Sequence, residues 1–260
     1  MVSADQPGCG WRREDLLAIE QASARLWLAH EQQPMGGWLW RYSHGGSQRA
    51  NSVATLADPA MDVGRAIAAA ELLYRKHGAP AWFQITEVSV PSGLDAELAK
   101  RGYVVRDRCE TLACVLSVPN LSSPSASGEI EMSSALTPAW FATYASTITP
   151  DRRAQAQAIL ERVPAPRAFC GLRRDGELIA TTLCAVDGSV ARIKCVATRD
   201  AARRTGAAEA VVRAALGWAA RGGARIASLG LTATNTPAQT LYAKLGFTLA
   251  GRYHIRAKDI

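Results

Sequence analysis

Residues 203–212, RRTGAAEAVV, and residues 235–247, NTPAQTLYAKLGF, decide the fold of this 260-residue chain. The first stretch follows an apolar run at residues 193–198 that predicts a strand. It opens a pattern of apolar residues that predicts an amphipathic helix over 203–221. The sequence therefore predicts a strand that leads through a small-residue turn into a helix.

The turn at the start of this predicted helix has the composition of an anion site. Gly206 stands in the first turn, and Ala207 and Ala208 keep large side chains away from the backbone. The first N–H groups of a helix have no partner within it, and the helix dipole adds partial positive charge there. Because Arg203 and Arg204 add two fixed charges, the turn predicts a phosphate site. Taken alone, the same residues would equally fit a basic helix start with a tolerated glycine.

The two stretches together resemble the GNAT superfamily of acyl-CoA N-acyltransferases, and the resemblance covers residues 129–260. In that family the pattern Q/R-x-x-G-x-G/A forms the loop that holds the coenzyme A pyrophosphate, and Arg203, Gly206 and Ala208 match it. The family's second motif, N-x-x-A-x-x-L-Y-x-x-x-G-F, is matched by Asn235, Ala238, Leu241, Tyr242, Gly246 and Phe247. The resemblance implies that acetyl-CoA (coenzyme A) is the cosubstrate.

The resemblance also implies a role for each matching position. Tyr242 corresponds to the tyrosine that protonates the departing coenzyme A thiolate, and a phenol with an ordinary pKa of about 10 stays protonated at neutral pH. The strand before the loop would splay from its neighbour and offer backbone groups at Val196 and Thr198 to the pantetheine arm and the thioester carbonyl. Asn235 either binds the cofactor or caps its helix, since Asn is a favoured N-cap residue. The predicted cofactor-binding residues are Val196, Thr198, Arg203, Arg204, Thr205, Gly206, Ala207, Ala208 and Asn235.

No residue is predicted as the general base. The two strands expected at the centre carry no carboxylate. Asp187 and Glu209 are the nearest acids in sequence, and both fit solvated surface positions better than a catalytic one. Cys195 has no histidine nearby in sequence, so we expect a buried structural thiol rather than a nucleophile. The alternative for Tyr242 is a core aromatic on an amphipathic helix.

The order of strand and helix patterns around the motifs predicts the fold class. Residues 129–260 give the order βααβββαβαβ, in which the three consecutive strands form an antiparallel meander. A helix and a parallel strand follow in a crossover. This order predicts an α+β fold with a mixed, mostly antiparallel sheet flanked by helices.

The first half of the chain repeats the second in a degenerate form. The segment LAKRGYVV, from Leu98, aligns with YAKLGFTL, from Tyr242, so the first half lacks the tyrosine hydroxyl. The corresponding cofactor turn has Gly64 followed by Arg65 and Ile67 rather than by small residues. We therefore predict two tandem GNAT-like domains, of which only the second binds acetyl-CoA.

Trp38 and Trp40 alternate within a stretch of the first half that predicts a strand. This strand is expected to enter a hairpin at residues 44–46, HGG. The aromatic face would belong to the core or form one wall of an acceptor pocket, and the core is favoured.

Composition places the boundary between the two predicted domains. Residues 117–128, SVPNLSSPSASG, are uncharged and rich in serine and proline, which is typical of a linker. The predicted division is a degenerate domain at 1–116, this linker, and a catalytic domain at 129–260. Residues 1–124 carry 12 basic and 13 acidic side chains, whereas residues 125–260 carry 18 and 10, so the formal charge of +7 comes from the second half.

Composition also disfavours several other classes. No stretch approaches the roughly 18 to 20 apolar residues of a membrane-spanning helix, and we expect a cytoplasmic protein without a membrane partner. The arginines are scattered rather than interleaved with exposed aromatics, which disfavours nucleic acid as a partner. The histidines, His30, His44, His77 and His254, lie far apart in sequence, so no metal is predicted.

The cysteines show no C-x-x-C spacing, which argues against zinc ribbons and a disulfide scaffold. We expect buried thiols at Cys9, Cys109, Cys114, Cys170, Cys184 and Cys195.

The sequence thus predicts transfer of an acetyl group from acetyl-CoA to a primary amine of an unidentified, small-molecule acceptor. The alternative is a degenerate acyl-CoA-binding or regulatory module without efficient transferase activity, which the missing carboxylate base favours slightly. The sequence gives no indication of the oligomeric state.

Overall fold

A computed structural model describes residues 10–116 and 126–260. The chain divides into two compact units. Unit 1 consists of Met1–Thr111, Leu231–Thr234 and Leu249–Ile260, and unit 2 consists of Leu112–Gly230 and Asn235–Thr248. In the described part of the chain, no helix has the length and apolar character needed to cross a membrane.

In its described residues, unit 1 has three α-helices beside a mixed sheet. The helices are α1 (Arg13–Leu26), α2 (Val63–Arg75) and α3 (Leu94–Lys100). The strands from the first half of the chain are β1 (Glu31–Met35), β2 (Trp38–Tyr42), β3 (Val53–Ala54), β4 (Ala81–Thr86) and β5 (Val104–Val115), whose last four residues belong to unit 2. β1 pairs antiparallel with β2, β2 pairs antiparallel with β3, and β3 pairs parallel with β4.

The tight turn of this region precedes β2, whereas the predicted hairpin after β2 takes the form of a longer connection, residues 43–52, that leads to the antiparallel strand β3. β1 and β2 pair from Met35 with Trp38 to Glu31 with Tyr42. Gly36 makes the connecting turn with a φ of +62°, a conformation that glycine adopts without strain. Trp38 and Trp40 are buried in the core of unit 1, as favoured from the sequence.

A chain of buried polar side chains joins four elements of unit 1. Arg41 of β2 donates from Nη2 to Oε1 of Gln84 on β4 over 2.9 Å. Gln84 in turn donates to Glu20 of α1 over 3.2 Å, and the second Glu20 oxygen accepts from Thr111 of β5 over 2.8 Å. Burial lowers the pKa of Arg41 to about 10. Each of these four buried side chains has a hydrogen-bond partner. Together they fix the packing of α1 on the sheet.

Unit 2 contains the elements that carry both motifs. Its helices are α4 (Pro138–Ala145), α5 (Arg153–Arg162), α6 (Ala207–Arg221) and α7 (Thr236–Lys244). Its strands include β6 (Glu129–Ser133), β7 (Arg167–Arg174), β8 (Glu177–Asp187), β9 (Val190–Thr198) and β10 (Ile226–Thr232), whose last two residues belong to unit 1. The last strand of the chain is β11 (Thr248–Lys258). β6 to β9 pair antiparallel in succession, and β10 pairs parallel with β9. The predicted element order and the α+β fold class are confirmed.

The last strand belongs mainly to unit 1. β11 pairs antiparallel with β4, from Tyr253 opposite Thr86 to Lys258 opposite Ala81. This ladder of six residue pairs explains why Leu249–Ile260 falls in unit 1. The predicted catalytic domain at 129–260 included this strand, so the compact units differ from the predicted division there. The linker at 117–128 lies largely outside the described residues.

Candidate active site

A β-bulge in β9 marks the centre of the site. Thr181 pairs with Ala197 and Leu183 pairs with Lys194, so Cys195 and Val196 together face the single residue Thr182. Cys195 has a φ of +53°, which is unusual for a residue with a side chain. A bulge of this kind bends its strand and redirects the side chains beyond it.

β9 and β10 splay apart beyond the first part of their ladder. The parallel pairing runs from Val190 with Ile226 to Arg192 with Ser228, whereas β9 continues to Thr198. At the point where the pairing ends, buried Arg192 donates to the Ser228 hydroxyl over 3.0 Å. The backbone edge of Val196 and Thr198 that faces β10 lies outside this ladder. The splay that the resemblance implied is confirmed.

The loop after β9 ends in an open helix start. Gly206 is the N-cap residue of α6, with a φ of +80° and a ψ of 0°, and no side chain caps the helix. The predicted helix start at Arg203 was wrong, because Arg204 and Gly206 both have left-handed φ values and residues 203–206 form turns. Ala207 is buried, so its side chain lies away from solvent. The first N–H groups of α6 are therefore available to an anion.

Positive charge surrounds this helix start. Arg203 and Arg204 are exposed, and Arg203 lies 2.8 Å from Asp200 in an ion pair at the surface. Exposed ion pairs of this kind contribute little stability, so a phosphate can take the place of the Asp200 carboxylate. Thr205 uses its hydroxyl to donate to the Ala202 carbonyl over 2.8 Å, which holds the loop.

Tyr242 lies on α7 with a buried side chain. Its ring packs edge to face on Phe247 with 5.6 Å between centroids. Burial raises the pKa of Tyr242 to about 12, so its hydroxyl carries a proton throughout the neutral range. This geometry fits a proton donor, and it also fits the core aromatic that was the alternative.

Asn235 caps α7. Its side-chain oxygen accepts from the backbone N–H of Ala238 over 3.2 Å. The sequence left open whether Asn235 binds the cofactor or caps its helix, and the structure shows the helix cap.

Cys195 has a partner that the sequence did not indicate. Its thiol interacts with the hydroxyl of Tyr144 on α4, and burial raises the pKa of Cys195 to about 11. A thiol with so high a pKa carries little thiolate at neutral pH, which argues against a nucleophile. Glu209 pairs with Arg213 over 2.9 Å along α6, and its side chain is only 19% exposed, so it is less solvated than the sequence predicted. The predicted thiols at Cys109, Cys114, Cys170 and Cys184 are buried, whereas Cys195 is only half-buried, and Cys9 lies outside the described residues.

The corresponding helix start in unit 1 has an acidic side-chain cap. The carboxylate of Asp62 caps α2 and accepts from the Arg65 N–H over 3.0 Å. Leu98, which aligns with Tyr242, is fully buried. The negative charge of Asp62 stands where a phosphate would have to bind.

Unit 1 contains a cavity that the sequence did not predict. It has a volume of about 490 Å³ and is lined by residues from β4, α3, β5 and β11, including Asp95, Arg108 and His254. His254 lies 2.7 Å from one Asp95 oxygen, and Arg256 donates to both carboxylate oxygens. The hydrogen bonds from Arg256 lower the pKa of Asp95 to about 2, although burial opposes the shift.

The bulged strand, the splay and the open helix start define an acyltransferase fold of the GNAT type. A family model described as "Probable histone acetyltransferase Rv0428c C-terminal" matches residues 14–256. The uncharacterized N-acetyltransferase YobR of Bacillus subtilis (strain 168) is 29% identical over 248 residues, covering 94% of this chain and 99% of the relative. The chain belongs to this family and is a GNAT N-acetyltransferase.

Solved structures share the fold at low identity. A GCN5-related N-acetyltransferase from Kribbella flavida has a TM-score of 0.69 at 19% identity and covers 96% of both chains. A tandem GNAT protein from the clavulanic acid biosynthesis pathway has a TM-score of 0.60 at 20% identity, covering 80% of this chain and 74% of that one. The predicted fold, including its tandem form, agrees with these structures.

We expect Asn235→Ala to lower the free energy of unfolding by about 1 kcal/mol, because α7 loses its cap. Coenzyme A affinity should stay unchanged. Asn235→Asp is the matched control, since its carboxylate oxygen can still accept from Ala238. Denaturant unfolding and calorimetry measure the two effects. Normal stability with weakened coenzyme A binding in Asn235→Ala would assign the residue to the cofactor instead.

Proposed function

We propose that unit 2 transfers the acetyl group of acetyl-CoA to a primary amine of a small molecule. The observation that carries this proposal is the open backbone edge of β9 followed by the open start of α6. A thioester needs hydrogen-bond donors for its carbonyl, and a diphosphate needs N–H groups and positive charge. Val196, Thr198 and the turn from Arg203 to Ala208 supply these groups in one continuous segment.

The chemistry follows from the same residues. The amine nitrogen attacks the thioester carbon, the C–N bond forms, and the carbonyl oxygen gains negative charge that an N–H at the end of β9 stabilises. When the intermediate collapses, the C–S bond breaks and Tyr242 donates its proton to the thiolate. The amine loses its proton to solvent, and the tyrosine regains one from solvent. The products are an N-acetylated amine and coenzyme A.

Charge argues for a small acceptor rather than a histone tail. The family description refers to a probable histone acetyltransferase, and a histone tail is itself strongly basic. Residues 125–260 carry 18 basic and 10 acidic side chains. A surplus of that sign repels a polycationic acceptor, whereas it attracts coenzyme A phosphates.

One feature supports the alternative function. Neither β9, VARIKCVAT, nor β10, IASLGLT, carries a carboxylate that could accept the amine proton. An acyl-CoA-binding or regulatory module would need no such group. The two functions differ in turnover, which makes them separable by one assay. The cytoplasmic location predicted from the sequence stays a prediction.

The test is coenzyme A release from acetyl-CoA in the presence of small primary amines, with a lysine-containing histone-tail peptide as a separate arm. We expect release that depends on a small amine, together with the acetylated amine in the mass spectrum. Tight acetyl-CoA binding without turnover on any amine would support the binding module. Turnover on the peptide alone would overturn the small-molecule proposal.

Gly206→Glu should abolish coenzyme A binding, because its side chain and charge occupy the anion site. Losing two charge-assisted hydrogen bonds of about 1.5 kcal/mol or more each predicts at least a roughly hundredfold weaker affinity. Gly223→Glu is the matched control, since Gly223 lies at the other end of α6, has a φ of +89° and borders open space. Its backbone strain is comparable, but its affinity should stay near that of the wild type.

Calorimetry on the folded variants measures this affinity. For the wild type it should give one coenzyme A per chain, because Asp62 closes the helix start in unit 1. Two equivalent sites per chain, or equal losses in the two glycine variants, would contradict the assignment.

Tyr242→Phe should lower turnover by at least about tenfold, since general-acid catalysis contributes roughly 10²–10⁴-fold and a thiolate is already a fair leaving group. Coenzyme A affinity and thermal stability should change little, because the ring still packs on Phe247. Tyr144→Phe removes a hydroxyl that contacts the Cys195 thiol and should leave turnover near the wild-type value. Single-turnover rates measure the chemical step directly. An unchanged rate in Tyr242→Phe would make the residue a structural aromatic.

A further inference from the structure

Three of the four histidines in the chain lie together at one place in unit 1. They lie far apart along the chain, which is why the sequence predicted no metal site. The fold brings His30, at the end of the segment after α1, next to His44, which follows β2, because β1 and β2 pair antiparallel between them. The imidazole centroids of His30 and His44 are 5.3 Å apart, and those of His44 and His77 are 6.5 Å apart.

The ligand atoms of His30, Glu31 and His44 converge on one point. One nitrogen or oxygen of each lies within 4.8 Å of the others, and all three side chains are exposed. Ligand atoms about 2.0–2.1 Å from a tetrahedral zinc ion lie roughly 3.4 Å apart, and the ring centroids of two such histidines lie roughly 5 Å apart. The observed centroid distance already has this value, so small side-chain rotations close the site.

Hydrogen bonds at buried or half-buried positions hold the loop that carries His44. The side-chain oxygen of Asn51 accepts from the Ser43 N–H over 2.8 Å, and its amide donates to the carbonyls of Gly45 and Ser47 over 2.9 Å and 2.7 Å. Ser43 accepts from the His30 N–H over 2.8 Å, which ties the two ligand segments together. These bonds fix the backbone on both sides of His44 before any ligand binds.

His44 itself has a left-handed backbone, with a φ of +50°. Such a conformation costs energy in a residue with a side chain, and it recurs at sites where geometry matters for function. Here it sets the direction in which the His44 ring leaves the loop. The conformation therefore adds to the case for a ligand-binding role.

His77 orients the carboxylate of this cluster. Its Nε2 lies 3.5 Å from Oε2 of Glu31. The His77 ring stacks on Tyr42 with 4.1 Å between centroids and on Trp40 with 5.7 Å between centroids. The two aromatic rings restrict the His77 ring. His77 can therefore orient the Glu31 carboxylate, as hydrogen-bonded outer partners of metal ligands do.

We propose that His30, His44 and Glu31 form a binding site for a divalent late transition metal, with Zn²⁺ as the best fit, and that His77 is a positioning residue. Two imidazoles and one carboxylate suit such an ion, whereas Mg²⁺ and Ca²⁺ prefer sets of oxygen ligands. Three protein ligands leave the fourth position to water. The metal would tie the loop at residues 43–47 to the start of β1.

The experiment is calorimetric titration of the full chain with Zn²⁺ under reducing conditions, in a Cys9→Ser background. That substitution removes the thiol outside the described residues. We expect one ion per chain with a micromolar or tighter dissociation constant. Co²⁺ absorption should show nitrogen and oxygen ligation without thiolate charge-transfer bands.

Four variants separate the roles. His30→Gln and His44→Asn should each abolish saturable binding, and asparagine is chosen at position 44 because it tolerates a left-handed backbone. His77→Ala should weaken affinity by roughly 10–100-fold, as loss of an outer partner does. His254→Gln is the control, since His254 pairs with Asp95 elsewhere in unit 1, and its Zn²⁺ affinity should equal that of the parent.

Thermal melting gives a second readout on the same proteins. Zn²⁺ should raise the Tm of the parent and of His254→Gln, because a ligand that binds only the folded state stabilises it. It should leave the Tm of His44→Asn unchanged. Absence of saturable binding at millimolar Zn²⁺, or binding that persists in both His30→Gln and His44→Asn, would overturn the proposal.

Discussion

The pairing of β9 with β10 ends at Arg192 and Ser228, although β9 continues to Thr198. The candidate active site depends on this unpaired part of β9. A parallel ladder that continued to Thr198 would use the backbone groups that an acyl-CoA needs. The bulge at Cys195 and Val196 bends β9 away while its pairing with β8 resumes at Ala197. The strand therefore stays anchored on one edge and becomes accessible on the other.

The two units differ at the corresponding helix starts. Unit 2 continues from its bulged strand into a helix whose first turn has a left-handed glycine and no side-chain cap. Unit 1 has a helix in the corresponding place, but the Asp62 carboxylate satisfies its first turn. A capping carboxylate and a bound phosphate compete for the same N–H groups, so one aspartate is enough to remove the anion site.

The parts of the fold and site that sequence could predict are those encoded over short distances. The glycine turn at Gly206, the helix with Tyr242 and the meander of β7 to β9 each depend on residues close together in the chain. The neighbours of β11 could not be predicted, because several strands offer the same backbone hydrogen bonds and only packing selects β4 and β5. The same reason applies to the His30 and His44 pair and to the contact between Tyr144 and Cys195. Both contacts depend on the register of paired strands, because a shift of one residue turns a side chain to the other face of the sheet.

Amide hydrogen–deuterium exchange with and without coenzyme A tests the central claim most directly, because the claim concerns particular backbone N–H groups. Saturating coenzyme A should slow exchange at residues 194–198 and 206–209, where the bulged strand and the open helix start lie. Exchange at residues 63–67, the capped helix start of unit 1, should not change. Protection at 63–67, or bound coenzyme A with no protection at 206–209, would contradict the account.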